Sequence, residues 1–158
     1  MESYVCRPMR QGEQGDACDL VVRVFNEFIA PLYEPEGIQE FMDYVQPDAL
    51  LRRSMSNHFV LLVTTGREIV GLAEVRDYNH ICLLFVDSRF QRRGIGRKLL
   101  EKTKELCRGH NPALREITVH SSPNSVPAYE KLGFHRTAAE QVTNGIRFTP
   151  MTLELPEP

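Results

Sequence analysis

The sequence lacks any apolar run long enough to cross a membrane. Its longest run, Ile81 to Val86, has the length of a strand, whereas a membrane helix needs about 20 apolar residues. The first residues show neither a basic start nor an apolar signal core, so we expect a cytoplasmic protein. The formal net charge is only −2, so no global charge favours nucleic acid or a membrane surface as a partner.

Cysteine is also sparse, and its pattern argues against disulfide and metal chemistry. The four cysteines are widely spaced and form no CxxC pair; they are Cys6, Cys18, Cys82 and Cys107. Each lies in an apolar periodic segment, which indicates reduced, buried thiols. Histidine and cysteine do not cluster at the spacing of metal ligands, so we expect no metal site.

What is present is an alternation of strand and helix patterns. We expect a strand over 3–9, a helix that Asp16 caps and that runs to about Ala30, and a second helix over 36–45 with a short helical turn behind it. Three strands follow, then a helix that ends at Gly109. The later elements are a strand at 114–120, a short helix at 124–132, and strands at 134–138 and 146–155. This order predicts one α/β (α+β) domain over residues 1–155, with a mixed sheet covered by helices and a short tail at 156–158.

The most informative segment joins the strand ending at Val86 to the helix predicted over Gly94 to Arg108. Two glycines at a helix start let the backbone approach a ligand, and the first amides of a helix have no internal partner. The helix dipole adds partial positive charge at the same place, so the junction is suited to phosphate. The dinucleotide fingerprint G-x-G-x-x-G is absent, because residue 99 is Leu, and the P-loop ending in Gly-Lys-Ser/Thr is absent as well.

What remains is Gln91-x-x-Gly94-x-Gly96, which resembles the pyrophosphate-binding motif of the GNAT acetyltransferase superfamily. A second segment, from Asn124 through Tyr129 to Leu132-Gly133-Phe134, resembles the late segment of that superfamily. The resemblance covers about residues 59–155. It implies a mostly antiparallel sheet of six or seven strands, splayed to admit coenzyme A, and an N-acetyltransferase that moves the acetyl group of acetyl-CoA to a primary amine in a ternary complex.

The resemblance also implies roles for particular residues. The backbone of Leu84 to Val86 would pair with the pantetheine arm of the coenzyme, Asn124 would hydrogen-bond it, and Tyr129 would protonate the departing thiolate. The pyrophosphate would be held at the loop residues Gln91, Arg92, Arg93, Gly94, Ile95, Gly96 and Arg97, and the coenzyme-binding strand comprises Leu84, Phe85 and Val86. Arg89, Arg92, Arg93 and Lys98 are weaker candidates for the 3′-phosphate.

The general base stays open between two residues and water. An alkyl ammonium has a pKa of about 10.4, so a proton acceptor is needed near neutral pH. His80 falls where histone-type members of the superfamily carry their basic Glu, and its rival Glu74 lies on the preceding strand, on the face opposite Ala73 and Val75. The acceptor pocket is expected from the first helices and their link, with Phe28, Tyr33 and Glu34 as candidates from position, although Phe28 is better explained as a core residue. Ser121 and Ser122 are further candidates for acceptor contact.

Other functions fit the residues less well. His120-Ser121-Ser122 lacks the nucleophile elbow of a hydrolase. The arginines around Gly94 have no aromatic platform that would favour a nucleic acid. A coenzyme-binding module without catalysis is the main alternative, and the presence of both Tyr129 and the glycine motif argues against it. The acceptor is a small-molecule or peptide amine of unknown identity, and a homodimer is the default assembly.

Overall fold

A computed structural model describes residues 3–157, and it contains one eight-stranded sheet with helices on both faces. The strand order is β1-β2-β3-β4-β5-β8-β6, and β7 pairs with β8 as a small extension. Every pairing is antiparallel except that of β4 with β5. The strands are β1 Val5–Pro8, β2 His58–Thr65, β3 Glu68–Arg76, β4 His80–Val86, β5 Glu116–Ser121, β6 His135–Arg136, β7 Gln141–Thr143 and β8 Ile146–Glu154.

Five α-helices cover this sheet. Three of them, from the first third of the chain, pack on one face, and α4 packs on the other. The helices are α1 Gln14–Phe28, α2 Pro35–Tyr44, α3 Pro47–Ser54, α4 Ile95–His110 and α5 Val126–Lys131. Short 3-10 turns lie at Ala30–Leu32, Ser88–Phe90 and Pro123–Ser125. The predicted mixed, mostly antiparallel α/β (α+β) architecture is therefore confirmed.

The side chains of the strands alternate between the two faces of the sheet, and each face has its own hydrophobic core. On β3, Leu72 packs into the cluster that contains Phe25 of α1 and Leu50 of α3. Its neighbour Ala73 packs against Ile95 and Leu99 of α4. Successive side chains of a strand point to opposite faces, so the predicted division of β3 between the two faces is correct.

Several boundaries differ from the sequence-based predictions. Helix α1 starts at Gln14 after an N-cap at Glu13, so Asp16 lies in the first turn and caps nothing. Helix α4 continues through Gly109 to His110, so Gly109 does not stop it. The strand expected over 134–138 shortens to two residues, and β7 was not predicted because three exposed residues give no apolar pattern.

The four cysteines are free thiols, as expected, but only Cys18 and Cys107 are buried. Cys6 and Cys82 are half-buried, which corrects the prediction that all four lie in the core. None of the helices within residues 3–157 is long and apolar enough to span a bilayer. The same residues contain no group of three or more side chains that could hold a metal ion.

Candidate active site

The centre of the sheet is split between β4 and β5. These two parallel strands pair at only two positions, His80 with Thr118 and Ile81 with Val119. A register irregularity against β3 places an extra residue, Cys82, in β4 at this point. From Cys82 to Val86, β4 has no partner strand on its β5 side among residues 3–157, and a cavity of about 940 Å³ opens in the gap. The predicted splay is therefore present.

One end of this cavity is the glycine turn before α4. Gly94 is the N-cap of the helix in a left-handed conformation, with φ of 79°. A Cβ added to Gly94 or to Gly96 would meet no other atom within 4 Å, so the turn is open rather than filled by side chains. Lys98 is the first residue of the helix whose amide bonds back, to Gly94 O. Within the described chain the amides of Gly94 to Arg97 donate to no protein acceptor, which leaves them for a ligand.

The loop that leads into this turn is itself strained. Arg92 has φ of 64°, a conformation that costs a residue with a side chain about 1 kcal/mol or more. The side-chain amide of Gln91 donates to Val86 O at 3.3 Å and so joins the loop to the end of β4. Strain held by such contacts is typical of a backbone arranged for binding.

Most of the sequence-predicted site residues line this one cavity. Three of them do not, namely Glu74, Arg93 and Arg97. Arg93 donates to Tyr4 Oη, and Arg97 donates to Lys131 O at 3.4 Å. The predicted residues that line the cavity are His80, Leu84, Phe85, Val86, Gln91, Arg92, Gly94, Ile95, Gly96, Asn124 and Tyr129.

Most of the weaker candidates for binding the 3′-phosphate also lie outside this cavity. Arg89 is paired with Asp87 and Glu68, which holds its guanidinium away from the cavity. Lys98 lines a different groove, between α4 and β1. Arg92 is the candidate that remains beside the glycine turn.

Glu74 is enclosed by protein partners. Its side chain is 0% exposed. Arg53 donates to both carboxylate oxygens, from Nε at 2.6 Å and from Nη2 at 3.2 Å, and Tyr44 Oη donates at 3.0 Å. His58 Nδ1 lies 2.7 Å from Oε2. Both oxygens of this carboxylate are thus occupied by protein donors, and these contacts fit a structural role beneath the cavity wall.

His80 lies at the branch point of the two strands. It is 8% exposed, and its Nδ1 lies 2.7 Å from Thr118 Oγ1, its register partner on β5. Burial is the main cause that lowers the pKa of His80, to about 4, with the positive potential of His120 and Arg76 second. The ring of His80 is therefore neutral at pH 7 and faces a cavity that leads to both ends of the site.

His120 is a cavity residue that sequence reasoning set aside with the hydrolase hypothesis. Its ring centroid lies 4.8 Å from that of His80 in an edge-on arrangement, and it stacks on Phe148 at 4.3 Å. Burial also lowers the pKa of His120, although its side chain is exposed at the surface. His80 and His120 lie close together because β4 pairs in parallel with β5 at His80 and Thr118. A single sequence does not specify that pairing.

Tyr129 and Asn124 stand on the opposite wall, on and before α5. The Tyr129 ring packs edge-on against Phe134 at 5.3 Å, and burial raises the pKa of its hydroxyl. That hydroxyl therefore stays protonated across the physiological range. Neither side chain has a hydrogen-bond partner within residues 3–157, so both can turn their polar atoms toward a ligand.

The far end of the cavity has aromatic walls supplied by α1, α2 and β8. Of the positional candidates, Phe28 and Tyr33 line it, and so does Ser122, whereas Glu34 and Ser121 do not. Phe28 is 36% exposed, so it is a wall residue and not core. Sequence reasoning missed Phe41, Tyr44 and Phe148, because ordinary helix and strand periodicity gives core and cavity walls the same pattern.

The β7–β8 hairpin closes this end against α2. Its two-residue turn is Asn144-Gly145, with φ of 53° and 79°, and Gly145 touches the backbone of Gly37. Tyr33 Oη donates to Arg147 O at 3.0 Å, and Arg147 Nη1 donates to Leu32 O at 3.1 Å. The hairpin is therefore fixed to the linker between α1 and α2.

Comparison with known proteins agrees with this architecture. A family described as "Acetyltransferase (GNAT) domain" matches residues 29–155. A curated relative, the uncharacterized N-acetyltransferase YitH of Bacillus subtilis (strain 168), is 25% identical over 142 residues, which is 89% of this chain and 49% of the relative. The chain thus spans about half the length of that relative.

Solved structures show the same fold at low sequence identity. A GCN5-related N-acetyltransferase from Rhodopseudomonas palustris matches with a TM-score of 0.81 at 22% identity, covering 98% of both chains. PaiA N-acetyltransferase from Thermoplasma acidophilum, solved with coenzyme A, matches with a TM-score of 0.79 at 17% identity, covering 97% of this chain and 99% of that one.

The splayed sheet and the open glycine turn belong to a fold that this chain shares with solved N-acetyltransferases. The chain belongs to the GNAT acetyltransferase family, whose enzymes use acetyl-CoA and acetylate amines. The sequence-based recognition of that family is confirmed.

Proposed function

We propose that this chain transfers the acetyl group of acetyl-CoA directly to a small primary amine in a ternary complex. One observation carries the proposal. A single cavity contains the open glycine turn, the unpaired edge of β4 and an aromatic far end, with His80 and Tyr129 on its walls. We call this far end the acceptor chamber; its aromatic walls are Phe28, Tyr33, Phe41, Tyr44 and Phe148. Both substrates can therefore meet without a covalent intermediate on the protein.

The coenzyme end follows from the free backbone groups. The amides of Gly94 to Arg97 and the guanidinium of Arg92 would hold the pyrophosphate. The edge of β4 from Leu84 to Val86 would pair with the amide groups of the pantetheine arm, as an added strand does. Bound acetyl-CoA supplies an activated thioester. A free amide of this edge would polarise the thioester carbonyl.

His80 is the base in this proposal. If Nδ1–H donates to Thr118 Oγ1, Nε2 keeps a lone pair that can accept a proton from the acceptor ammonium. A pKa of about 4 means that His80 holds this proton weakly. The exposed ring of His120 can pass it to solvent. Glu74 is assigned a structural role instead, because its oxygens already accept from Arg53 and Tyr44.

The transfer step then balances. The acceptor ammonium first loses one proton through His80 to solvent. The neutral amine nitrogen then forms a bond to the acetyl carbon, the carbon–sulfur bond breaks, and a second proton leaves the nitrogen by the same route. The sulfur takes a proton from Tyr129 Oη, which is available because burial keeps that hydroxyl protonated. Solvent returns a proton to Tyr129 after the products leave.

The test is thiol release from acetyl-CoA over a panel of amines, with the acetylated product identified by mass. We expect turnover with at least one primary amine, and a loss of about 100-fold in kcat for Tyr129→Phe at unchanged acetyl-CoA affinity. Tyr78→Phe, outside the cavity and stacked on His110, is the matched control. Binding of acetyl-CoA without turnover on any amine would favour the non-catalytic module and overturn the enzymatic proposal.

A further inference from the structure

We propose that the acceptor is a small primary amine on an aryl or alkyl body, and not a polyamine or another polycation. This inference rests on the proposed function, because it concerns the far end of the same cavity. It follows from what the chamber walls present to a ligand and from the charges near them.

The walls of the acceptor chamber are largely the carbon atoms of aromatic rings. Phe41 stacks face to face on Phe25 at 3.9 Å and is tilted against Phe85 at 6.0 Å. Phe28 and Phe148 extend this surface from α1 and β8. Aromatic walls of this kind favour burial of an apolar body, which removes apolar area from water.

The two tyrosines of the chamber direct their hydroxyls to the protein. Tyr33 Oη donates to Arg147 O at 3.0 Å, and Tyr44 Oη donates to Glu74 at 3.0 Å. Their rings line the cavity while their polar atoms are already bound. These residues therefore add apolar surface and little hydrogen-bonding capacity for a polyhydroxylated or polyamino substrate.

The charges of the cavity do not suit a polycation. Among the lining residues in the described chain, Glu40 is the one carboxylate, and it faces three cations, Arg76, Arg92 and Lys131. Arg92 and Lys131 lie toward the glycine turn and α5, where coenzyme phosphates would meet them. Arg76 at this cavity is already beside Asp77, at 3.7 Å, and Asn144 Nδ2 donates to Glu40 at 3.5 Å. All the ammonium groups of a polycation would therefore compete for the single carboxylate Glu40, and those left unpaired would enter at a desolvation penalty.

An apolar chamber also assists the reaction. Burial in a medium of low polarity lowers the pKa of an amine, because it disfavours the charged form. An acceptor held by Phe28 and Phe41 therefore reaches the carbonyl more often as the neutral nucleophile. The weak base His80 then suffices where a polar site would need a stronger one.

The chamber is preformed, which limits the size of its occupant. Gly37 and Gly145 meet backbone to backbone, and Arg147 anchors the hairpin to Leu32. Closure by a fixed hairpin favours a compact amine over a folded protein segment.

The experiment compares acceptors that differ in one feature. Pentylamine and cadaverine have the same chain length, and cadaverine adds a second cation; phenethylamine adds a ring. We expect kcat/KM for pentylamine and phenethylamine to exceed that for cadaverine and spermidine by at least about tenfold. Faster turnover of spermidine, or of a peptide lysine, would overturn the inference while leaving acetyl transfer itself intact.

Two variants test the walls directly. Phe28→Ala removes an exposed wall ring and should raise KM for phenethylamine at least about fivefold, with KM for acetyl-CoA unchanged within twofold. Met55→Ala, at a residue that is 74% exposed and outside the cavity, should change neither constant. Glu40→Gln should change kcat/KM for phenethylamine less than Phe28→Ala does. A large loss with Glu40→Gln and none with Phe28→Ala would contradict the inference, and absence of thiol release with every amine would instead contradict the proposed function.

Discussion

Gly37 of α2 and Gly145 of the β7–β8 turn touch through their backbones. A Cβ on Gly145 would lie 2.5 Å from the Gly37 nitrogen, and a Cβ on Gly37 would lie 2.7 Å from the carbonyl carbon of Gly145. Gly145 also has φ of 79°, which favours glycine for a second reason. No other residue type fits either position without moving the hairpin, so this contact fixes the roof of the acceptor chamber.

Replacing Gly37 by Ala should therefore loosen the acceptor end selectively. We expect a loss of about 2 kcal/mol in the free energy of unfolding, or roughly 5 °C in Tm, because backbone must shift to admit the methyl group. The KM for the acceptor should rise, whereas the Kd of acetyl-CoA should not change. Gly15→Ala, in α1 with no atom within 4 Å of the added Cβ, should keep or raise Tm. Equal behaviour of the two variants would show that the hairpin contact does not matter.

The proposed base predicts a specific pH dependence of the rate. His80→Gln should lower kcat by about 100-fold at pH 7, where nearly all of an alkyl amine is protonated. The defect should shrink as the pH rises toward the pKa of the amine, because the neutral nucleophile then forms without help. Steady-state rates from pH 6 to pH 10 measure this. A defect of constant size across that range would assign His80 a structural role only.

The lowered pKa of His80 also predicts how stability changes with pH. The folded value is about 4 and the ordinary value is about 6.5, so between these the unfolded chain binds more protons. His80 thus destabilises the fold as the pH falls from 6.5 toward 4, and it has no such effect above 6.5. The drop in Tm from pH 7.5 to pH 4.5 should be smaller in His80→Gln than in the unmodified protein. Identical drops would mean that His80 is not held neutral by burial.

Glu74 gives the contrasting case, a buried charge whose loss should affect folding before catalysis. Glu74→Gln leaves the Arg53 guanidinium without its carboxylate, and breaking a buried pair costs about 3 kcal/mol. Tm should fall, while kcat/KM per folded molecule and its pH profile stay within a few-fold. A variant with normal Tm and a lost limb in the pH–rate profile would instead restore Glu74 as the base.

The sequence was sufficient for features that depend on local chemistry. The glycine pair with its strand and helix placed the turn at Gly94 and Gly96 correctly, and alternation along β3 put Leu72 and Glu74 on one face. These features are encoded within a few residues of one another, so a single chain suffices to predict them.

The acceptor chamber was not predictable in the same way. The pairing of His80 with Thr118 and the contact of Gly37 with Gly145 join segments far apart in the chain, and nothing local marks either partner. The β7 strand is three exposed residues held by β8 and by an Asn-Gly turn, so its apolar pattern is absent. The N-cap of α1 moved to Glu13, whose carboxylate pairs with Arg7 of β1, a tertiary contact that local capping rules do not include.

The central claim is that the free amides at the start of α4 bind the coenzyme, and calorimetric titration with acetyl-CoA tests it most directly. Gly96 and Gly109 lie in the same helix, and a Cβ at either meets no atom within 4 Å. Valine is a somewhat better helix former than glycine and should change helix propensity similarly at both positions, but only Gly96→Val fills the turn. We predict that Gly96→Val weakens acetyl-CoA binding by at least about tenfold, whereas Gly109→Val binds like the unmodified protein. Equal affinity of Gly96→Val and the unmodified protein would contradict the account.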